Sequence, residues 1–327
     1  MHLKSYFPIL DWGRRYNRQT LTSDLVAAII VTIMLIPQSL AYALLAGLPP
    51  EVGLYASVLP LVAYAVFGTS SALAVGPVAV VSLMTAAAVG RIAAEGTVDY
   101  ASAAIMLALL SGIMLTLMGV LRLGFVANFL SHPVISGFIT ASGIIIATSQ
   151  IGGLLGIKTE GHAMPDLIMS IIANIGQVNW YTLAIGALAL ALLLWIRLDL
   201  KNWLARFGVP KGVATIVVRA GPVLVVFLTM ALSVFLDLGA RGVALVGDVP
   251  QGLPMLSLPA FDIAVIQQLA MPALIISIVG FVESISVAQT LAAKRRERIS
   301  PNQELIGLGA SNIAAAIGGG YPVTGGF

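Results

Sequence analysis

The sequence predicts an all-α integral membrane protein arranged as an inverted repeat. Three observations predict it: charge is scarce, the basic residues cluster in alternate gaps between apolar runs, and an unusual pattern returns late in the chain. Of 327 residues, 59% are hydrophobic and 9% charged, against about 25% charged in an ordinary soluble domain. Mean hydropathy is +1.00. The net charge of +3 does not point to nucleic acid, because the 17 Lys and Arg fall in clusters between apolar runs, as they do in cytoplasmic loops. Without cysteine there is no disulfide framework and no thiolate metal site, and no cofactor is expected.

Taken in order, residues 1–23 have no apolar core of signal-peptide length. They read as a cytoplasmic, interfacial lead-in, with Tyr6, Phe7 and Trp12 at the headgroups and Arg14, Arg15 and Arg18 in water. A crossing helix needs about 20 mostly apolar residues. This places spans over 24–45, 52–67, 77–90, 101–121, 132–155, 181–196, 215–236, 263–291 and 303–318. His132-Pro133 marks the start of the fifth span, and "MPDLIMSIIANIGQ" within 156–180 is left to the interface. With the N-terminus inside, fourteen basic residues lie in inner loops and only Arg91, Lys158 and Arg241 lie outside. That asymmetry supports both orientation and span count, in a bacterial inner membrane. The chain then divides into a first seven-span repeat at 24–236, an outer linker at 237–262 and the start of a second repeat at 263–327.

The third span is too short. Its 14 residues give ~21 Å of helix against a hydrocarbon core of ~30 Å, and it opens on Gly76-Pro77. Proline suits a first helical position because its missing N–H would be unpaired there. Gly76-Pro77 therefore reads as a helix start within the membrane, preceded by extended backbone in "TSSALAV" that needs protein or a wet cavity around it. Such half-helices mark substrate sites in transporters. The alternative is one proline-kinked helix over about 60–90.

A repeat favours the half-helix. Pro77 in "VGPVA" and Pro322 in "GYPVT" are 245 residues apart, as are Gln38 and Glu283, Ser39 and Ser284, and Ala43 and Ala288. Seven spans per unit is an odd number, so the second copy is inverted. Its half-helix should start just after Pro322, around Thr324, Gly325 and Gly326, so the chain is expected to be truncated at Phe327.

Polar groups within spans narrow the chemistry. Glu283 lies eleven residues before Lys294, about 16 Å along a helix and so near the midplane, with Ser286 and Thr290 on its face. A carboxylate there faces a partner or water, or is protonated. It is either a coupling site or a neutral acid bonded to a neighbouring helix. Gln38 and Tyr42, one turn apart, present an amide and a phenol to a polar ligand, or join helices. The small residues of "AAAVG" and "SGFITASG" read as close helix packing.

"DLVAAIIVTIMLIPQSLAYALLAGLPPEVGLYASVLPLVAYAVFGTSSALAVGPVAVVSLM" at 24–84, with "GFVESISVAQTLA" and "NQELIGLGASNIAAAIGGGYPVTGGF" later, strongly resembles the SulP family of anion permeases, which includes sulfate transporters and prestin. Val52 replaces the usual aromatic before "GLY", and Ser71 a common basic residue after "GTS". The resemblance implies fourteen spans in two inverted repeats, split into core and gate domains, with a cytoplasmic STAS domain after them. It implies an anion held between two facing half-helix N-termini, each worth about +0.5 charge. Here that is Gly76, Pro77 and the N–H groups of Val78, Ala79 and Val80, with Thr324, Gly325 and Gly326 opposite and Gln38 and Tyr42 beside them. Glu283, with Ser286 and Thr290, matches a position associated with cation coupling. The expected function is secondary anion transport, sulfate with a proton first, bicarbonate or a dicarboxylate with proton or sodium second, by a homodimer in the lipid bilayer. An enzyme would need a nucleophile and base or a metal cluster, and a channel a filter of repeated polar residues.

Overall fold

The computed structural model describes residues 6–94, 99–129, 132–159, 164–247, 252, 256 and 262–326. Much of the predicted 237–262 linker, and Lys4 of the lead-in, lie outside the described residues. The helices are α1 (Ile9–Trp12), α2 (Arg18–Leu45), α3 (Pro50–Phe67), α4 (Ala79–Ala94), α5 (Tyr100–Val120), α6 (His132–Leu155), α7 (Met164–Asn174), α8 (Trp180–Trp195), α9 (Lys201–Arg206), α10 (Lys211–Phe235), α11 (Ile263–Arg295) and α12 (Pro301–Ile317). Two short strands, β1 (Ala74–Gly76) and β2 (Thr324–Gly326), add the one non-helical pairing among the described residues.

Every predicted span falls on a helix. By length and composition, α2, α3, α5, α11 and the run Trp180–Arg206 are able to cross a membrane, and α10 joins them when its two bent parts are taken together. The 11-residue α7 is ~16 Å long, too short to cross. Helix starts follow capping chemistry. Asp99 accepts from Ser102 N–H at 3.1 Å, Asn179 from Tyr181 and Thr182 N–H at 3.0 and 3.1 Å, and Asp262 from Ala264 N–H at 2.9 Å. α11 ends where Arg296 turns left-handed at φ 56°.

The chain forms two compact units that do not follow the sequence in blocks. Unit 1 holds Met1–Asn17, Ser39–Ser142 and Val249–Phe327, and unit 2 holds Arg18–Gln38 and Gly143–Asp248. The boundary between Gln38 and Ser39 falls one residue after Pro37, which sits inside α2. Proline removes the N–H that would bond Ile33 C=O and weakens the helix there. Unit 2 packs Ile196, Leu200 and Val225 as its small apolar centre.

In unit 1, α12 packs on α5 and α3, and α11 packs on α5, α4 and β2. The α5–α12 crossing is close because glycines line it. A Cβ on Gly112 would lie 2.7 Å from Ile313 N and 2.8 Å from Gly309 O, and one on Gly309 would lie 2.7 Å from Thr116 N. These are backbone atoms, which cannot step aside. Gly112→Ala is therefore expected to lower stability by about 1–3 kcal/mol, the usual cost of overpacking. Gly153→Ala, with nothing within 4 Å, should be neutral or slightly stabilising. Melting temperatures of the two variants in detergent provide the check, and equal melting would remove the close crossing as a stability determinant.

Candidate functional site

The chain leaves α3 at Phe67, with Gly68 extended (ψ 155°), and is not helical again until Ala79. The half-helix is therefore real, and the kinked continuous helix is not. α4 has 16 residues, or ~24 Å, still short of a bilayer core. Its start differs from expectation by two residues. The first intrahelical bond runs from Ser82 N–H to Val78 C=O at 2.9 Å, so Val78 caps the helix and Pro77 precedes the cap. The N–H groups without an intrahelical partner are then those of Val78, Ala79, Val80 and also Val81.

The extended backbone before α4 is satisfied by another strand. β1 pairs antiparallel with β2, Ala74 opposite Gly326, Val75 opposite Gly325 and Gly76 opposite Thr324. This meets the demand that irregular backbone at membrane depth be bonded by protein. Gly76 is not needed for space, since a Cβ there would come no nearer than 4.0 Å to Ser57 Oγ. The pairing also corrects the repeat register. The two strands are 250 residues apart, not 245, because Pro77 follows β1 while Pro322 comes before β2. The two prolines thus occupy different places, and Thr324, Gly325 and Gly326 form a strand and not the first turn of a helix.

Side chains that the sequence reading passed over hold this pair in place. Asn312 on α12 clamps Val323, its Nδ2 donating to Val323 O at 2.8 Å and its Oδ1 accepting from Val323 N at 3.0 Å. The Tyr321 and Ser82 hydroxyls bond at 3.1 Å, tying this segment to α4. Thr324 Oγ1 donates to Gly280 O at 2.6 Å, and a Cβ on Gly325 would collide with Ser284 Oγ. β2 therefore lies along the 280–284 stretch of α11. Ser39 and Ser57 hydroxyls bond at 2.8 Å on the other side of β1. An asparagine in the apolar run "LGASNIAAA" was the one available sequence signal for these contacts.

Glu283 Oε2 and Ser284 Oγ are buried without a hydrogen-bond partner among the described residues. Buried polar atoms are normally paired, so each bare one asks for a ligand or a function. Of the predicted companions of Glu283, Ser286 donates to Val282 O at 2.6 Å and Thr290 to Ser286 O at 2.8 Å. Both hydroxyl protons are spent on α11 itself, and Thr290 is exposed near the helix end. Ser284, whose hydroxyl has no partner among the described residues, stands closer to what a site would need.

A second buried acid was not anticipated. Glu304, in the first turn of α12, is fully buried. It accepts from Tyr64 Oη at 2.6 Å, Thr69 N at 2.7 Å, Ser70 N at 3.2 Å and the Thr69 hydroxyl. Its neighbour Gln303 donates to Phe67 O at 2.7 Å. Together they fix the loop that carries the chain from α3 into β1.

Tyr42 belongs to unit 1 and Gln38 to unit 2. Gln38 lines a cavity of about 400 Å³ there, with Met34, Leu193, Pro222 and Thr229 among its walls. Among the described residues no group of His, Cys, Asp or Glu is arranged to hold a metal ion.

Known proteins share this fold. The family model described as "Sulfate permease family" matches residues 21–327. The chain is 41% identical over 99% of its length to probable sulfate transporter 4.2 of Arabidopsis thaliana, covering 47% of that protein. It is 36% identical over 95% of its length to probable sulfate transporter MT1781 of Mycobacterium tuberculosis, covering 53% of it. The chain thus spans about half the length of the curated relatives it matches. Among solved structures, it superposes on murine Slc26a9 with a TM-score of 0.85 at 24% identity, covering 98% of this chain and 54% of that one. On the transmembrane domain of the cyanobacterium bicarbonate transporter BicA the TM-score is 0.78 at 20% identity, covering 95% and 76%. These likenesses carry the fold. The matched family, over nearly the whole chain, makes this integral membrane protein a member of the sulfate permease family.

Proposed function

We propose that this chain is the anion-binding part of a secondary anion transporter, with sulfate as the substrate and an inward proton as the coupling ion. The observation that carries the reading is the start of α4 just after a paired strand, where four backbone N–H groups lack intrahelical partners. A helix N-terminus presents donors and about half a positive charge, which suits an anion and requires no buried Arg. The sulfate transporters among its relatives support the substrate. The orientation with an inner N-terminus, the bacterial inner membrane and the homodimer belong to the same proposal. So do the sequential divisions at 24–236, 237–262 and 263–327.

Uptake of labelled sulfate, bicarbonate and fumarate into proteoliposomes tests the substrate. Saturable sulfate uptake driven by an imposed pH gradient is expected. Preferential bicarbonate uptake under a sodium gradient would favour the runner-up, a bicarbonate transporter like the structural neighbour. Current linear in driving force would favour a channel.

Gln38 is proposed to contact the anion. Gln38→Ala is expected to weaken anion binding by roughly tenfold to a hundredfold, since a hydrogen bond to a charged group is worth about 1.5–3 kcal/mol. Titration of the anion against tryptophan fluorescence in wild type and variant gives the ratio. Unchanged affinity with a normal melting temperature would leave Gln38 as a helix-joining amide.

A further inference from the structure

Unit 1 gathers basic side chains from three distant stretches of sequence onto one end. Phe7 packs against Phe67 with ring centroids 5.2 Å apart and the rings tilted by 42°, and Trp12 Nε1 donates to Ala65 O at 3.2 Å. These contacts hold the N-terminal segment against the last turn of α3. Gln303 Nε2 donates to both Tyr6 O and Phe67 O, at 3.0 and 2.7 Å, which sets the start of α12 beside them. Arg295 Nη1 reaches Ser71 Oγ at 3.3 Å and Ser300 N reaches Thr69 Oγ1 at 3.4 Å, which adds the end of α11. Gly124 N donates to Asn302 Oδ1 at 2.8 Å, which adds the end of α5 and Arg122 beyond it.

The charge that results is one-sided. Arg14, Arg15 and Arg122 share this end with Lys294, Arg295, Arg296 and Arg298, and all seven are exposed. Asp11 and Glu297 are the exposed acids of the same segments. Asp11 holds Arg15 in a salt bridge at 3.0 Å, and Glu297 accepts from Ser71 Oγ at 2.8 Å. The exposed aromatic pair Trp12 and Tyr16, centroids 5.8 Å apart, lies in the same layer. Amphipathic aromatic rings settle at headgroup level, and α3, α5 and α11 all terminate at this end. The basic groups therefore stand where lipid phosphates lie.

We propose that this end of unit 1 is a binding surface for anionic phospholipid headgroups, with the 294–298 segment as its centre and Arg14, Arg15 and Arg122 as its rim. Juxtamembrane clusters of four or more basic residues hold acidic lipids in this way. The sequence alone displays one such cluster, and the fold supplies the rest by bringing the N-terminus and the end of α5 beside it.

The test is lipid retention by the purified chain, measured by native mass spectrometry after exchange into detergent with equimolar phosphatidylglycerol and phosphatidylcholine. The wild type is expected to retain phosphatidylglycerol over phosphatidylcholine by about fivefold or more, and 0.5 M NaCl should lower that ratio. The variant Lys294→Gln/Arg295→Gln/Arg296→Gln/Arg298→Gln should bring the ratio to near parity, and Arg14→Gln/Arg15→Gln should reduce it partly. Arg91→Gln, at the opposite end of unit 1, should leave it unchanged. Equal retention of the two lipids by the wild type overturns the proposal. So does a preference that survives in the quadruple variant, or one that Arg91→Gln abolishes equally. Displacement of phosphatidylglycerol by inorganic phosphate at matched concentration would make this a free-anion site and would also overturn it.

Discussion

Replacing Glu304 with alanine is expected to destabilise the protein by about 3 kcal/mol or more. The change strips the acceptor from four donors at once, the Tyr64 and Thr69 hydroxyls and the N–H groups of Thr69 and Ser70. A buried donor left bare costs roughly 1–3 kcal/mol, and bonds to a charged acceptor stand at the upper end of the range. Glu304→Gln keeps one carbonyl oxygen for the Thr69 and Ser70 N–H groups while Tyr64 rotates to meet the amide, so it should cost less than alanine. Thermal melting in detergent ranks the three proteins. If the alanine variant melts with the wild type, the network does not hold the loop and its burial is incidental.

The second large effect is expected at Glu283. Glu283→Gln should abolish anion accumulation driven by a cation gradient while leaving anion binding within about threefold of wild type. The glutamine keeps the size and hydrogen-bonding capacity of a protonated acid but cannot exchange charge. Glu283 Oε2 is buried without a partner among the described residues, and α11 at this level carries β2, with Thr324 on Gly280 and Gly325 against Ser284. A proton or a small hard cation would satisfy that oxygen. Accumulation is measured first under an imposed pH gradient and then under an imposed sodium gradient. A glutamine variant that concentrates the anion as well as wild type under both would leave Glu283 as a structural residue.

Much of this arrangement is legible in the sequence because membrane chemistry is strict. A proline at the head of a short apolar run has few physical readings, so Gly76-Pro77 exposed the half-helix, and spans follow from length and hydropathy. The strands were not legible. "AVG" and "TGG" share no side-chain pattern that would set their register, and the conspicuous prolines, Pro77 after β1 and Pro322 before β2, lie on opposite sides of the two strands. Glu304 was hidden for a different reason. An acid in the first turn after Ser300-Pro301 looks like ordinary helix-start chemistry, and only the long-range contact with Tyr64 and Thr69 shows that it is buried. Gly112 and Gly309 were passed over because small residues are common in this chain, and only the crossing of α5 and α12 singles them out.

The β1–β2 pairing also dictates an order of assembly. Its partners are 250 residues apart, and translation at about 5–20 residues per second separates their emergence by about 12–50 seconds. During that interval β1 lies among finished helices with the N–H and C=O groups that β2 will bond still unmatched, a condition the hydrocarbon core does not tolerate. The nascent chain must therefore keep this segment wet or sheltered until residue 324 arrives. The N-terminal end of α4 then takes its final form only after the helices on either side have been inserted.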